Sequence, residues 1–225
     1  MSARMPTDYP SQTAQIRSIA EWRKAQGQSF PNRMDERVTL GPIYSDSWLR
    51  DPKHLVFALA RYKFVAKMLH GCEDVAEIGA GDGFGAEIVA KEVKTLMLYD
   101  LSPLNRDIYQ WDIMARPFAL DFDAMYAIDV FEHVKSGEVF FRHMANSLND
   151  HGKLIVGTPS LEGQTYASEP SRKLHINCVT GEALRCQALQ FFRHVFMFSM
   201  NDEVVHTGFM PMAHYLWAVC AEPIR

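Results

Sequence analysis

The sequence lacks the marks of several protein classes. Its four cysteines, Cys72, Cys178, Cys186 and Cys220, form no C-x-x-C pair and no framework spacing. That excludes a disulfide scaffold and predicts reduced thiols. No run reaches membrane-spanning length, and the opening residues, MSARMPTDYPSQ, hold no apolar core of signal-peptide length. The expectation is a cytoplasmic protein with no membrane partner. A basic excess is missing too: 23 Lys and Arg stand against 27 Asp and Glu, a net charge of -4. A phosphate backbone demands the opposite balance, so no nucleic-acid partner is expected. There is no internal repeat and no low-complexity tract.

What is present is 225 residues, 48% hydrophobic and 22% charged, enough for one sizeable core with an appendage. Residues 75 to 90, VAEIGAGDGFGAEIVA, organise it. Val75, Ala76 and Ile78 read as a short buried parallel strand. Gly79, Ala80, Gly81 and Gly83 form a turn whose glycines let the backbone bend sharply and approach a ligand closely. Glu87 to Lys94 then carries a helical pattern, with Ile88, Val89 and Val93 facing a sheet. A dinucleotide fingerprint, G-x-G-x-x-G, would need a third glycine at position 84, which is Phe84. The spacing is instead Glu77-x-Gly79-x-Gly81-x-Gly83. An acid at the strand end repels a pyrophosphate but suits an amino-acid ammonium, which points to S-adenosylmethionine.

On these residues the chain resembles the class I S-adenosylmethionine-dependent methyltransferases of the small-molecule type. A second stretch adds to it. Ala124 to Ile128 reads as a fourth strand, and the run Asp129-Val-Phe-Glu132-His133-Val after it is similar to the fourth motif of those enzymes. The resemblance covers residues ~60 to 225. It implies a Rossmann-like α/β fold: a seven-stranded, mostly parallel sheet with an antiparallel last strand, helices on both faces and an N-terminal helical cap. The expected division is a cap over 1–55 and the cofactor-binding domain over 56–225.

In chain order, Ser11 or Thr13 caps a helix reaching about Ala25. Gly27 to Asp51 shows no period and reads as irregular. Pro52 opens a core-facing helix to about His70. Thr95 to Tyr99 is a second strand and residues 109 to 113 a brief third. A helix over Gly137 to Leu148, a turn at Asn149 to Gly152 and a fifth strand to Gly157 follow. From Pro159 to Cys178 runs a polar loop long enough to suggest function. Thr180 caps a helix to Gln190, and strands over Arg193–Met200 and His214–Ala221 close the sheet. The methionine-rich link between them is a candidate substrate mouth.

By resemblance, Glu77 and the glycine turn hold the methionine portion, Asp100 with Leu101 the ribose hydroxyls, and Asp112 the adenine amino group. Trp111 and Ile113 sandwich the base, and Asp129 with Val130 lines the floor beneath the sulfonium. The amino-terminal helices would close over the cofactor, with Tyr44, Trp48, Arg61 and Tyr62 the residues expected to reach ligand. S-adenosyl-L-homocysteine would be the product. Methyl transfer is an in-line displacement, so the protein mainly orients the acceptor and excludes water. A hydroxyl acceptor must also lose a proton, and histidine suits that task. His175 is the first candidate and His133 the second.

The run at Asp129 is similar as well to the acid-x-x-Glu-His metal site of ubiquinone-pathway O-methyltransferases. Asp stands where they have Glu, so no metal is expected. The leading expectation is O- or N-methylation of a small molecule, such as a sugar or a secondary-metabolite intermediate. The alternatives are an NAD(P)-dependent oxidoreductase, against which Phe84 and the lack of a Tyr-x-x-x-Lys pair speak, and a noncatalytic cofactor-binding partner protein. A nucleobase methyltransferase is disfavoured, because no Asn-Pro-Pro-Tyr or Asp-Pro-Pro-Tyr run follows the fourth strand.

Overall fold

The elements in chain order are α1 (Pro42–Arg50), α2 (Pro52–Met68), β1 (Asp74–Ile78), α3 (Ala86–Ala90), β2 (Thr95–Asp100), β3 (Tyr109–Gln110) and β4 (Phe122–Ile128). They continue with α4 (Gly137–Asn146), β5 (Leu148–Pro159), α5 (Glu169–Leu174), α6 (Gly181–Ala188), β6 (Phe192–Asn201), β7 (Val204–His206) and β8 (Tyr215–Pro223). The computed structural model describes residues 40–225. The helix expected near Ser11 to Ala25, and all of the expected cap before Leu40, lie outside the described residues.

A parallel strand covered on both faces is apolar along its whole length, with alternate residues serving opposite cores. β1 and β4 are built this way apart from Asp74 and Asp123 near their starts and the buried Glu77 of β1. Val75, Ala124, Tyr126 and Ile128 join one hydrophobic cluster, where α2 supplies Leu55, Tyr62, Val65 and Ala66. Ala76, Ile78, Met125 and Ala127 join the other, where α4 supplies Phe140, Phe141 and Met144 and α6 supplies Leu184. The helices start where side chains satisfy their first amides: Ser136 Oγ accepts from Val139 N, and Thr180 Oγ1 from Ala183 N.

The sheet has eight strands in the order β3-β2-β1-β4-β5-β8-β6-β7. β3, β2, β1, β4 and β5 pair in parallel, and β8 lies antiparallel between β5 and β6. The winding reverses between β1 and β4, which opens a crevice at their carboxyl ends, where ligands of open α/β sheets bind. The expected Rossmann-like architecture is present. The eighth strand is β7, a three-residue hairpin partner of β6 too short to stand out by its pattern.

Several local expectations need correction: the turn expected at Asn149 to Gly152 lies inside β5, and the third strand covers only Tyr109–Gln110. Residues 42–50 are helical rather than irregular: Pro42 sets the first turn, but only Tyr44 of this helix is buried, so no amphipathic period reveals it. α3 stops at Ala90, short of the expected Lys94. The polar loop after β5 carries a 3₁₀ turn over Glu162–Tyr166 and the short helix α5. Among the described residues, no helix is long and apolar enough to cross a membrane.

Candidate cofactor and acceptor site

The glycine turn follows β1 directly, and Gly79, Gly81 and Gly83 all have positive φ, at 81°, 60° and 78°. Side chains are strained in that region. At Gly79 the space is also taken, since a Cβ there would stand 2.2 Å from Val130 Cγ2. β2 delivers Asp100 to this turn. Asp100 Oδ2 accepts from Gly81 N at 2.9 Å and Oδ1 from Ser102 N at 2.7 Å. Each carboxylate oxygen keeps a lone pair for a further donor. Ala80 is buried in the turn, while Leu101 is exposed beside Asp100.

Glu77 differs from its expected part. It is fully buried, and its two oxygens accept from Tyr62 and Tyr126 at 2.9 and 2.8 Å. Burial raises its pKa to about 7, against the pull of the two tyrosine hydrogen bonds. Its carboxylate therefore braces β1 against α2 and β4.

Asp82, which the sequence reading passed over, is buried within the turn. Oδ2 accepts from Ile43 N at 2.9 Å and Tyr44 N at 3.4 Å, and Oδ1 from Phe84 N at 3.2 Å. The first residue of α1, Pro42, follows Gly41, which has no capping side chain. Asp82 is thus the cap, supplied from 38 to 39 residues away in sequence. Its only signal in the sequence is a short acid between two glycines.

The base-binding expectation also changes. Trp111 is stacked on Phe118, centroids 4.4 Å apart and 14° between planes, with the Arg116 guanidinium 4.4 Å over its ring. Ile113 is buried in the core beneath. Both side chains are thus engaged in packing within the chain. Asp112 is exposed and accepts from Met114 N at 2.8 Å, so its other oxygen is open.

Next to the turn, Asp129 takes the left-handed conformation (φ 56°), tolerable for aspartate and often found at functional positions. It is ion-paired with Arg61, and the buried Arg61 guanidinium lies 4.1 Å from the Phe57 ring centroid and 4.0 Å from that of Tyr215. Arg61 and Tyr215 line a cleft of about 940 Å³, together with His54, Gln164, Tyr166, His175 and His214. Asp202 and Glu203 reach it from the methionine-rich link, whose methionines do not line it. Trp48 is exposed and apart from it, and Tyr44 is buried. Three buried groups of the lining have no hydrogen-bond partner among the described residues: Arg61 Nε, Gln164 Nε2 and the Tyr215 hydroxyl. All three can donate.

The two candidate histidines meet. The His133 and His175 rings stand edge to face with centroids 5.2 Å apart. Burial and then His133 lower the His175 pKa. Glu132 lies beneath, 1% exposed, with its pKa raised by burial and then by the charge of Asp129. Its Oε2 accepts from Thr158 at 3.0 Å.

Residues 46–202, well over half of the chain, match the family model described as "Methyltransferase domain". No significant match is found among curated proteins. Among solved structures, the N-methyltransferase NodS of Bradyrhizobium japonicum WM9 is 18% identical, with 78% of this chain and 99% of that chain covered at a TM-score of 0.53. Its complex with S-adenosyl-l-homocysteine gives 17% identity, 91% and 98% coverage, and 0.52. A SAM-dependent methyltransferase of Thermotoga maritima gives 17%, 80% and 94%, and 0.58. These likenesses establish a shared fold.

Proposed function

The chain belongs to the methyltransferase domain family, and on that premise we propose that it transfers the methyl group of S-adenosylmethionine to an oxygen or nitrogen of a small-molecule acceptor. The observation that carries the reading is the joint between the glycine turn and Asp100, where Gly81 N donates to a carboxylate with lone pairs to spare. The cradle fits the cofactor: its glycines leave backbone bare where a Cβ would intrude, and Asp100 suits two adjacent ribose hydroxyls. When bound there, the cofactor supplies an electrophilic methyl on a sulfonium.

The remaining roles belong to this chain's own residues. The glycine turn and Asp100 hold the cofactor, with Asp112 the candidate for its base. α1, tied down by Asp82, covers the turn. Asp129 and Val130 stand between the turn and the cleft, Val130 against Gly79 and Asp129 against the cleft residue Arg61. The cleft is of a size that holds a metabolite. The unpartnered donors Arg61 Nε, Gln164 Nε2 and Tyr215 OH favour an acceptor rich in oxygen. His175, in the cleft wall, and His133, against it, serve the acceptor end of the reaction.

The test is release of S-adenosylhomocysteine from S-adenosylmethionine across a panel of catechols, phenols, sugars and amines. An acceptor-dependent signal that Asp100→Ala abolishes is expected. Cofactor binding without product on any acceptor would favour a noncatalytic partner protein instead.

A further inference from the structure

Glu132, His133 and His175 each offer one ligand atom, and the three atoms lie within 4.8 Å of one another. Glu132 and His133 come from the 3₁₀ turn after β4, and His175 follows α5 in the segment after β5. The two segments are stitched together. Ile176 N and Asn177 N both donate to the Glu132 carbonyl oxygen, at 2.8 and 2.9 Å, and Asn177 Nδ2 donates to the Phe131 carbonyl oxygen at 3.0 Å. The spacing of the three side chains is therefore set by backbone contacts and does not depend on the side chains attracting one another.

Each group is also oriented from behind. His133 Nδ1 faces the Leu174 carbonyl oxygen at 3.1 Å, and His175 Nδ1 faces Gln164 Oε1 at 3.3 Å. Both oxygens can only accept, so in each ring Nδ1 is the donor and Nε2 is the nitrogen left for another partner. Thr158 holds one oxygen of Glu132, while the other stands 3.9 Å from His133 Nε2. An imidazole tied through one nitrogen to an oxygen acceptor, with its other nitrogen left for a metal, is the arrangement of a ligating histidine. The neighbouring cation, Arg61, is already paired with Asp129. That leaves an almost fully buried carboxyl group and two imidazoles around one point, with no Lys or Arg ion-paired to them among the described residues.

We propose that Glu132, His133 and His175 bind one divalent transition-metal ion, with zinc, cobalt, manganese and iron the fitting class. Two nitrogens and one carboxylate suit these ions better than magnesium or calcium, which prefer all-oxygen shells. Asp129 is not a ligand, because Arg61 holds it. Three protein ligands leave coordination positions open, and His175 places them beside the cleft.

The catalytic meaning of the site rests on the methyltransferase reading, whereas binding of the ion does not. The ion lowers the pKa of an acceptor hydroxyl that coordinates it, and the proton leaves to solvent. The oxygen lone pair then forms the O–CH3 bond as the S–CH3 bond breaks and leaves its electron pair on sulfur. The histidines are then ligands and not a free general base, and the acceptor is narrowed to one that presents oxygen.

The experiment uses the full chain without an affinity tag, stripped with chelator, and neither cofactor nor acceptor is added. Cobalt(II) is titrated and followed by its visible d–d absorption and by calorimetry, and zinc(II) is then used to displace it. The expected result is one equivalent bound at micromolar or tighter affinity. His175→Ala and Glu132→Gln should each weaken it by about 100-fold or more, since even the loss of an outer-shell partner costs about 10–100-fold. His194→Ala, a change of an exposed histidine, should leave it unaltered, and thermal melts confirm that each variant folds. No binding by the unaltered chain, or binding that persists in both ligand variants, would overturn the proposal. Because neither cofactor nor acceptor is present, failure to bind the ion would overturn this proposal and leave the methyltransferase reading standing.

Discussion

Ile43 N donates to Asp82 Oδ2 at 2.9 Å, which joins the first turn of α1 to the turn between β1 and α3. One carboxylate thereby does two jobs: it caps a helix that has no cap of its own, and it holds that helix over the candidate cofactor cradle. Asp82→Ala should cost about 1–2 kcal/mol of stability, the usual worth of a cap. Urea denaturation reads that cost. Hydrogen exchange at the amides of Ile43 and Tyr44 should accelerate while amides of β4 stay protected, and equal acceleration throughout would contradict this role.

Glu77 gives a pH dependence of definite sign. Its folded-state pKa is raised to about 7, above an unfolded value of about 4.3. Between those values the folded chain binds more protons than the unfolded one, so stability falls as pH rises through this window and levels off above it. Glu77→Gln removes the titration. Relative to the unaltered chain, the variant should gain about 3 kcal/mol on going from pH 5 to pH 8. Parallel stability curves for the two proteins would contradict it.

Gly79 faces two separate penalties. Alanine there meets Val130 Cγ2 at 2.2 Å and is held at φ 81°. Gly79→Ala should destabilise by about 2–4 kcal/mol, combining overpacking with left-handed strain. Adding Val130→Ala should recover the steric part and leave about 1–2 kcal/mol of strain. A double variant no more stable than Gly79→Ala would show that Val130 is not the obstacle.

Trp111 separates packing from binding. Because its ring is engaged by Phe118 and Arg116, Trp111→Ala should lose about 2–3 kcal/mol of stability, the low end for a large aromatic since the ring is only half-buried. Its affinity for S-adenosylhomocysteine should change less than about threefold, under 0.7 kcal/mol. A loss of tenfold or more would restore the ring as a wall of the base pocket.

The parts of this molecule that follow a period or a spacing were legible in the sequence. The apolar runs of β1 and β4 gave the buried sheet, and the alternate glycines gave a turn that the structure shows at positive φ three times over. Asp100 at the end of β2 was legible for the same reason, since a strand end fixes where its next residue points. Roles that depend on what packs from far away were not legible. The hydrogen bonds of Glu77 to Tyr62 and Tyr126 carry no sequence signal, nor does the packing of Trp111 against Phe118 and Arg116. His133 and His175 were each visible, but their meeting with buried Glu132 depends on Ile176 and Asn177 reaching back across more than 40 residues to the Glu132 carbonyl.

The central claim is that the glycine turn and Asp100 form the seat of S-adenosylmethionine. Calorimetric titration of the full chain with S-adenosylhomocysteine tests it most directly, with NADH and NADPH as controls and Asp100→Ala as the site variant. The account predicts micromolar binding of the sulfur compound, lost in the variant although it still folds, and no binding of either nicotinamide. Binding of a nicotinamide in its place, or affinity for S-adenosylhomocysteine that Asp100→Ala leaves intact, would contradict it.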